Sequence, residues 1–168
     1  MHELLKNRRS IRKYTSQQVS DELLDAVLEA GLYAASGMNT QNTVMVAVRD
    51  QETRDQLSRM NAAVMGTDSD PFYGAPCVVV VLVDPERYTC VEDGSLVMGN
   101  LMQAAYEAGL GSCWIHRAQQ MFESAEGKAL LKKWGLPENL RGVGNCILGY
   151  PDETPAPKPR REGRIVKV

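Results

Sequence analysis

Four cationic side chains fall within six positions of the stretch RRSIRKY, at Arg8, Arg9, Arg12 and Lys13. Arginine forks offer paired donors to phosphate oxygens, and the Ser10 hydroxyl between them adds another. On an extended segment the alternation would set Arg8, Ser10 and Arg12 on one side. A run of charge more often marks a solvated turn, here one following a short leading helix, and on charge alone the two readings weigh equally. The far end of the sequence tips the balance. Residues 154–168 (TPAPKPRREGRIVKV) carry Lys158, Arg160, Arg161, Arg164 and Lys167 against Glu162 alone. The chain as a whole has 19 basic and 21 acidic residues, so the body between its ends is strongly acidic. That balance argues against a broad nucleic-acid or membrane face. Two basic ends on an acidic body fit one compact anionic group gripped from both sides.

Other stretches could contribute to a site. ASGMNTQN (residues 35–42) reads as a Ser/Gly/Asn turn, yet it is long for a connection and dense in amides, which suit the edge of a heterocycle. GLGSCWIHRA reads as a helix stop, then a core strand that ends near His116. Nothing local makes His116 a general base. Cys77, Cys90, Cys113 and Cys146 show no close pairing, and histidine occurs only at His2 and His116. The short-spaced soft ligands of a zinc or iron–sulfur site are therefore missing, and the cysteines read as small buried hydrophobes in a reducing cytoplasm. No nucleophile elbow, Gly-x-Gly-x-x-Gly or Walker loop is present.

These residues need elements to position them. The 168 residues, 43% hydrophobic and 24% charged, suit one domain spanning 1–168 with a real core. No apolar run approaches the roughly 20 residues of a spanning helix, and the polar, basic start carries no signal-peptide pattern. Ser20 followed by DELLDAVLEAGLYAA reads as an N-capped helix with apolar positions at 23, 24, 27, 28 and 32. TVMVAV (Thr43 to Val48) is a short strand. QETRDQLSRMNAAV (Gln51 to Val64) is a surface helix. APCVVVVLVD has no polar alternation and reads as a strand buried on both faces. In YTCVEDGSLVMGNLMQAAYEAGLG the second half is apolar nearly all round, which predicts a central helix lying against a partner subunit. GSCWI and RGVGNCILGYP are further strands. ALLKKWG closes a short helix, with Gly135 as stop signal. Residues 150–168 form an extended, proline-rich arm. The order predicts an α/β or α+β single domain around one sheet.

Taken in order, NRRSIRKY, AASGMNTQN before a strand, GAPCVVVVL, EDGSLVMGNLMQAAYEAGLGSCWI, GNCILGYP and the PKPRR tail resemble the FMN-dependent nitroreductase family over essentially the whole chain. The resemblance implies an α+β fold with a central mixed sheet flanked by helices, in an intertwined homodimer with flavins at the subunit interface and a C-terminal segment that embraces the partner. By position, Arg8, Arg9 and Ser10 would bind the FMN phosphate and ribityl chain, completed by Lys158 and Arg160. Arg12 matches a cation beside the flavin N1 and C2 carbonyl, where negative charge grows as the ring takes a hydride. Ser36, Met38, Asn39 and Gln41 match the loop that approaches from the partner chain. Ile115, His116 and Arg117 match the segment whose backbone amide faces N5. Several members carry glutamate and glycine at the positions of His116 and Arg117. The asparagine and lysine that some point at the pyrimidine edge lack a counterpart between Met60 and Pro71. The implied activity is ping-pong hydride transfer from NADH or NADPH to a nitroaromatic, quinone or similar acceptor, with no side chain as catalytic acid or base. The alternatives are a flavin reservoir or sensor without turnover, a dehalogenating or ring-cleaving relative, and a flavin-free dimer binding another phosphorylated ligand.

Overall fold

The computed structural model describes residues 3–168; Met1 and His2 lie outside the described residues. Four strands, β1 (Thr43–Val48), β2 (Cys77–Val83), β3 (Gly111–Ile115) and β4 (Arg141–Gly149), form one sheet in the order β1-β2-β4-β3. All three pairings are antiparallel, with Thr43 opposite Val83, Cys77 opposite Leu148 and Gly111 opposite Gly149. The one parallel pairing among the described residues is an isolated bridge between Ser10 and Ser112. Among the described residues six α-helices accompany the sheet, α1 (Glu3–Asn7), α2 (Asp21–Leu32), α3 (Gln51–Met65), α4 (Cys90–Glu107), α5 (Ala118–Glu123) and α6 (Ala125–Lys133), with one 3-10 turn at Gly37–Asn39.

Every residue of β2 is buried, because helices cover both faces of the sheet and strand side chains alternate between them. Val79, Val81 and Val83 pack with Val27 of α2 and Val97, Met98 and Leu101 of α4. Val78, Val80 and Leu82 pack on the other face with Leu57 of α3, Met121 and Phe122 of α5 and Leu130 of α6. The uninterrupted valine run thus supplies both layers of the core. All four cysteines are buried and free. Burial pushes the Cys77 thiol up to about 12 and moves Cys146 in the same direction.

Local signals set several ends. Ser20 caps α2 by accepting from the Leu23 N–H at 3.4 Å, and Asp50 caps α3 through Thr53 N–H at 2.8 Å. Helix α2 stops at Leu32, three residues short of Ala35 at the end of its sequence pattern, and leaves Leu32 exposed. The surface-helix reading of residues 51–64 is corrected. Arg54, Leu57, Ser58, Met60, Asn61 and Ala62 are buried, so polar residues share the inward face with apolar ones.

The two chain ends meet at one end of the sheet. The N–H of Ile11 donates to Ser112 O at 3.0 Å, that of Thr15 to Tyr150 O at 3.0 Å, and that of Asp152 to Lys13 O at 2.9 Å. The Tyr14 hydroxyl donates to Ile11 O at 2.7 Å, and burial raises its pKa well above the ordinary phenol range. Beyond Tyr150 the arm has no regular structure, and its residues from 156 onward are exposed.

Close packing leaves β4 no room at Gly142, where an added Cβ would lie 2.3 Å from the Ala118 carbonyl oxygen at the start of α5. Because the obstacle is backbone, Gly142→Ala should lower stability by about 1–3 kcal/mol, read as an earlier urea midpoint at unchanged slope.

Candidate functional site

The basic N-terminal stretch and the start of the arm enclose a cavity of about 240 Å³ whose lining includes Arg8, Arg9, Ser112, Pro151, Glu153 and Pro155. Arg9 is committed locally: its Nη1 donates to the Lys6 and Arg8 carbonyls, each at 2.7 Å. Arg8 is different. Its Nη1 is buried with no hydrogen-bond partner among the described residues. A buried charged donor without an acceptor is costly, so this end of the cavity is chemically suited to an anion. Ser10 lies beside it, bridged to Ser112. Glu153 is turned to a structural use, accepting the Arg12 backbone N–H and tying the arm to the N-terminal stretch. Lys158 and Arg160 lie further along the arm, exposed and outside the cavity lining.

Arg12 points its guanidinium over the Tyr73 ring, 5.9 Å from the centroid. Tyr73 has a left-handed backbone, φ +53°, unusual for a bulky residue and stable only where surroundings over-determine it. Asp70 supplies that constraint. Its carboxylate accepts from Phe72 N at 2.9 Å, Gly74 N at 2.7 Å, Arg54 Nη2 at 2.7 Å and the Ser58 hydroxyl. Burial alone would raise the Asp70 pKa, but these donors together outweigh it and hold the carboxyl below its usual range. Arg54, 5% exposed, also donates from Nε to Ala75 O at 3.0 Å. Tyr73 was not legible as a site residue, because DPFYG reads only as a turn.

At the other end of β3, Ile115 is buried opposite Asn145. His116 is exposed, and Arg117 is half-buried with φ +76° and ψ 8° as the residue preceding α5. The backbone at 117 is thus left-handed, although the side chain is arginine. Asn61, which falls between Met60 and Pro71, is fully buried and donates from Nδ2 to His116 O at 2.7 Å.

The amide-rich loop lies elsewhere. Met38, Asn39 and Gln41 all have positive φ, at +53°, +54° and +50°, and Met38 is 98% exposed. The loop is pinned at its base: buried Asp93 accepts from Gly37 N at 2.8 Å, and Ser36 Oγ accepts from Gln41 N at 3.1 Å. It precedes β1, whereas the basic stretch adjoins β3. Two strands intervene, so the two edges are roughly 14 Å apart by ordinary strand spacing. Within one chain the structure brings Arg8, Arg9 and Ser10 together and sets Arg12 beyond them. Ile115–Arg117 stand at the far end of the same strand. The 36–41 loop is not brought to them.

Known proteins match both the sequence and this arrangement. Residues 5–71 match the model of the nitroreductase family. A protein of Archaeoglobus fulgidus bearing the name NADH dehydrogenase/NAD(P)H nitroreductase is 35% identical over 164 residues, covering 91% of this chain and 88% of its own length. The chain belongs to the nitroreductase family. A nitroreductase of Bacteroides fragilis with bound FMN superimposes with a TM-score of 0.91 at 30% identity, over 99% of this chain and 97% of its own. An NADPH-flavin oxidoreductase of Vibrio harveyi is 29% identical, over 94% of this chain and 68% of its own length.

Holding a non-glycine residue left-handed costs about 1–2 kcal/mol, while glycine adds unfolded-state entropy of about 0.4–1 kcal/mol. The first effect exceeds the second. Arg117→Gly in this chain should therefore raise stability by about 0.5–1 kcal/mol, seen as a later urea midpoint at constant slope.

Proposed function

We propose that this chain is an FMN-dependent oxidoreductase that takes reducing equivalents from NADH or NADPH. A bound flavin would supply the hydride chemistry, and the cycle proposed is ping-pong between the nicotinamide and a nitroaromatic, quinone or similar acceptor. The protein's task is to bind, orient and polarise.

The observation that carries the reading is the buried, partnerless Arg8 Nη1 in a cavity closed by the arm. A phosphate is the group that such a donor suits, because charge-assisted bonds offset the burial of the guanidinium. In this reading Arg8, Arg9 and Ser10 hold the phosphate end, with Lys158 and Arg160 brought from the arm. Arg12, steadied over Tyr73, offers positive charge to the pyrimidine side. Ile115, His116 and Arg117 line the reactive edge, where a backbone N–H is the donor.

The site is completed by a second copy. Ser36, Met38, Asn39 and Gln41 cannot join the β3 edge within one chain, and a backbone held in three left-handed conformations is unlike a passive connection. Exposed Val91, Leu96 and Tyr106 on α4, with Leu32, Tyr33 and Met38 at the end of α2 and in the loop that follows it, provide apolar surface for a homodimer. A single unit over 1–168, with 150–168 as an arm reaching the partner, is part of the same proposal.

The purified protein should be yellow or take up FMN, and should bleach promptly under anaerobic NADH or NADPH. Colour should return when a nitroaromatic or quinone is added. Stable colour under both nicotinamides would overturn turnover in favour of a flavin reservoir. Hydrogen bonds to charged groups contribute about 1.5–3 kcal/mol, so Arg8→Ala should weaken FMN affinity by roughly 10- to 100-fold with little change in the unfolding midpoint. Unchanged affinity would remove Arg8 from the site.

A further inference from the structure

Asn61 is the odd residue of the inner face of α3. It is fully buried among Met121 and the end of β3. One of its amide hydrogens goes to the His116 carbonyl at 2.7 Å and its Nδ2 also lies 3.2 Å from Met121 Sδ. Its Oδ1 is buried without a partner among the described residues. The amide orientation follows from chemistry, since a carbonyl can face only a donor. A leucine would fill such a position without a buried, unpaired Oδ1, so what the asparagine adds is the bond that its amide makes to the His116 carbonyl.

The reason lies in the peptide that it grips. In a trans peptide the C=O of one residue and the N–H of the next point in opposite directions. With the His116 carbonyl turned inward onto α3, the Arg117 N–H must point away from that layer. That N–H donates to no protein acceptor among the described residues. The Arg117 carbonyl is already used, accepting from Met121 N at 3.1 Å in the first turn of α5. Both carbonyls of the segment are therefore committed, whereas neither the His116 N–H nor the Arg117 N–H has a protein acceptor among the described residues; of the two, the Arg117 N–H is the one whose direction the Asn61 bond sets. The left-handed backbone at Arg117 is the strained conformation that this commitment maintains.

We propose that Asn61 is a positioning residue, which fixes the His116–Arg117 peptide so that the Arg117 N–H is presented to N5 of a bound flavin. This rests on the flavin reading above and adds to it the group that aims the donor. Without the Asn61 amide the His116 carbonyl has no inward partner, and the peptide is free to rotate and withdraw its N–H.

The test reads the Arg117 amide directly, by site-resolved hydrogen exchange in FMN-free and FMN-loaded protein. In the wild type, FMN should slow exchange of this N–H at least tenfold. In Asn61→Leu, which keeps the volume and removes the donor, that protection should vanish. FMN affinity should stay within about threefold, because the phosphate end is held elsewhere. Reduction of the bound flavin by the nicotinamide should slow at least tenfold. If the wild type binds FMN but its Arg117 N–H gains no protection, the positioning role is overturned and the flavin reading stands. If Asn61→Leu keeps both protection and rate, the role of Asn61 is likewise overturned. A protein that takes up no FMN at all overturns the flavin reading and this inference with it. Should Asn61→Leu fail to fold, the wild-type comparison alone still decides whether the N–H is the donor.

Discussion

Three backbone hydrogen bonds between the first 15 residues and the strand ends at Ser112, Tyr150 and Asp152 fix the geometry on which the site depends. They place the basic stretch against the start of β3 and the beginning of the arm, two regions more than a hundred residues further along the chain. Side chains alone could not hold that register, since several of the arginines have no fixed ion-pair partner. The backbone does so because every N–H drawn out of water at a sheet end must find a carbonyl. The cavity around Arg8 follows from this closure, as does the tie between Glu153 and the Arg12 amide.

A second constraint comes from the polar inward face of α3. Arg54, Ser58 and Asn61 occupy successive turns of the helix on its buried side, and each reaches backbone or carboxylate groups on loops at the sheet ends. Arg54 and Ser58 fasten the turn carrying Tyr73, while Asn61 fastens the turn carrying Arg117. One helix thus governs two left-handed residues, Tyr73 and Arg117. Such strain persists only because several buried hydrogen bonds hold it together, which places the rigidity of the site in the layer behind it.

Much of this architecture was legible in the residues themselves. Thr43–Val48 and Gly111–Ile115 coincide with their strands, the valine run of β2 is buried throughout, and Ser20 caps its helix. These features follow from local pattern, where alternation, β-branching and capping chemistry act over a few positions. The inward face of α3 was not legible, because Arg54, Ser58 and Asn61 look like a solvated face until their distant partners Asp70, Ala75 and His116 are known. The left-handed states of Tyr73 and Arg117 were hidden for the same reason, since neither residue type announces them. Among the candidate site residues, the cationic cluster from Arg8 to Lys13 could be read from charge, and spacing set Arg8, Ser10 and Arg12 on one side. Their neighbours Ser112 and Glu153 could not, being brought there by topology.

The chemistry of the cysteines has a practical consequence. All four thiols are buried, and those of Cys77 and Cys146 are held protonated by their apolar surroundings, whereas the reactive form of cysteine is the thiolate. The native protein therefore offers a quiet background for maleimide coupling. A single cysteine introduced on the exposed arm would accept a dye or spin label selectively, without first stripping the natural thiols from the core.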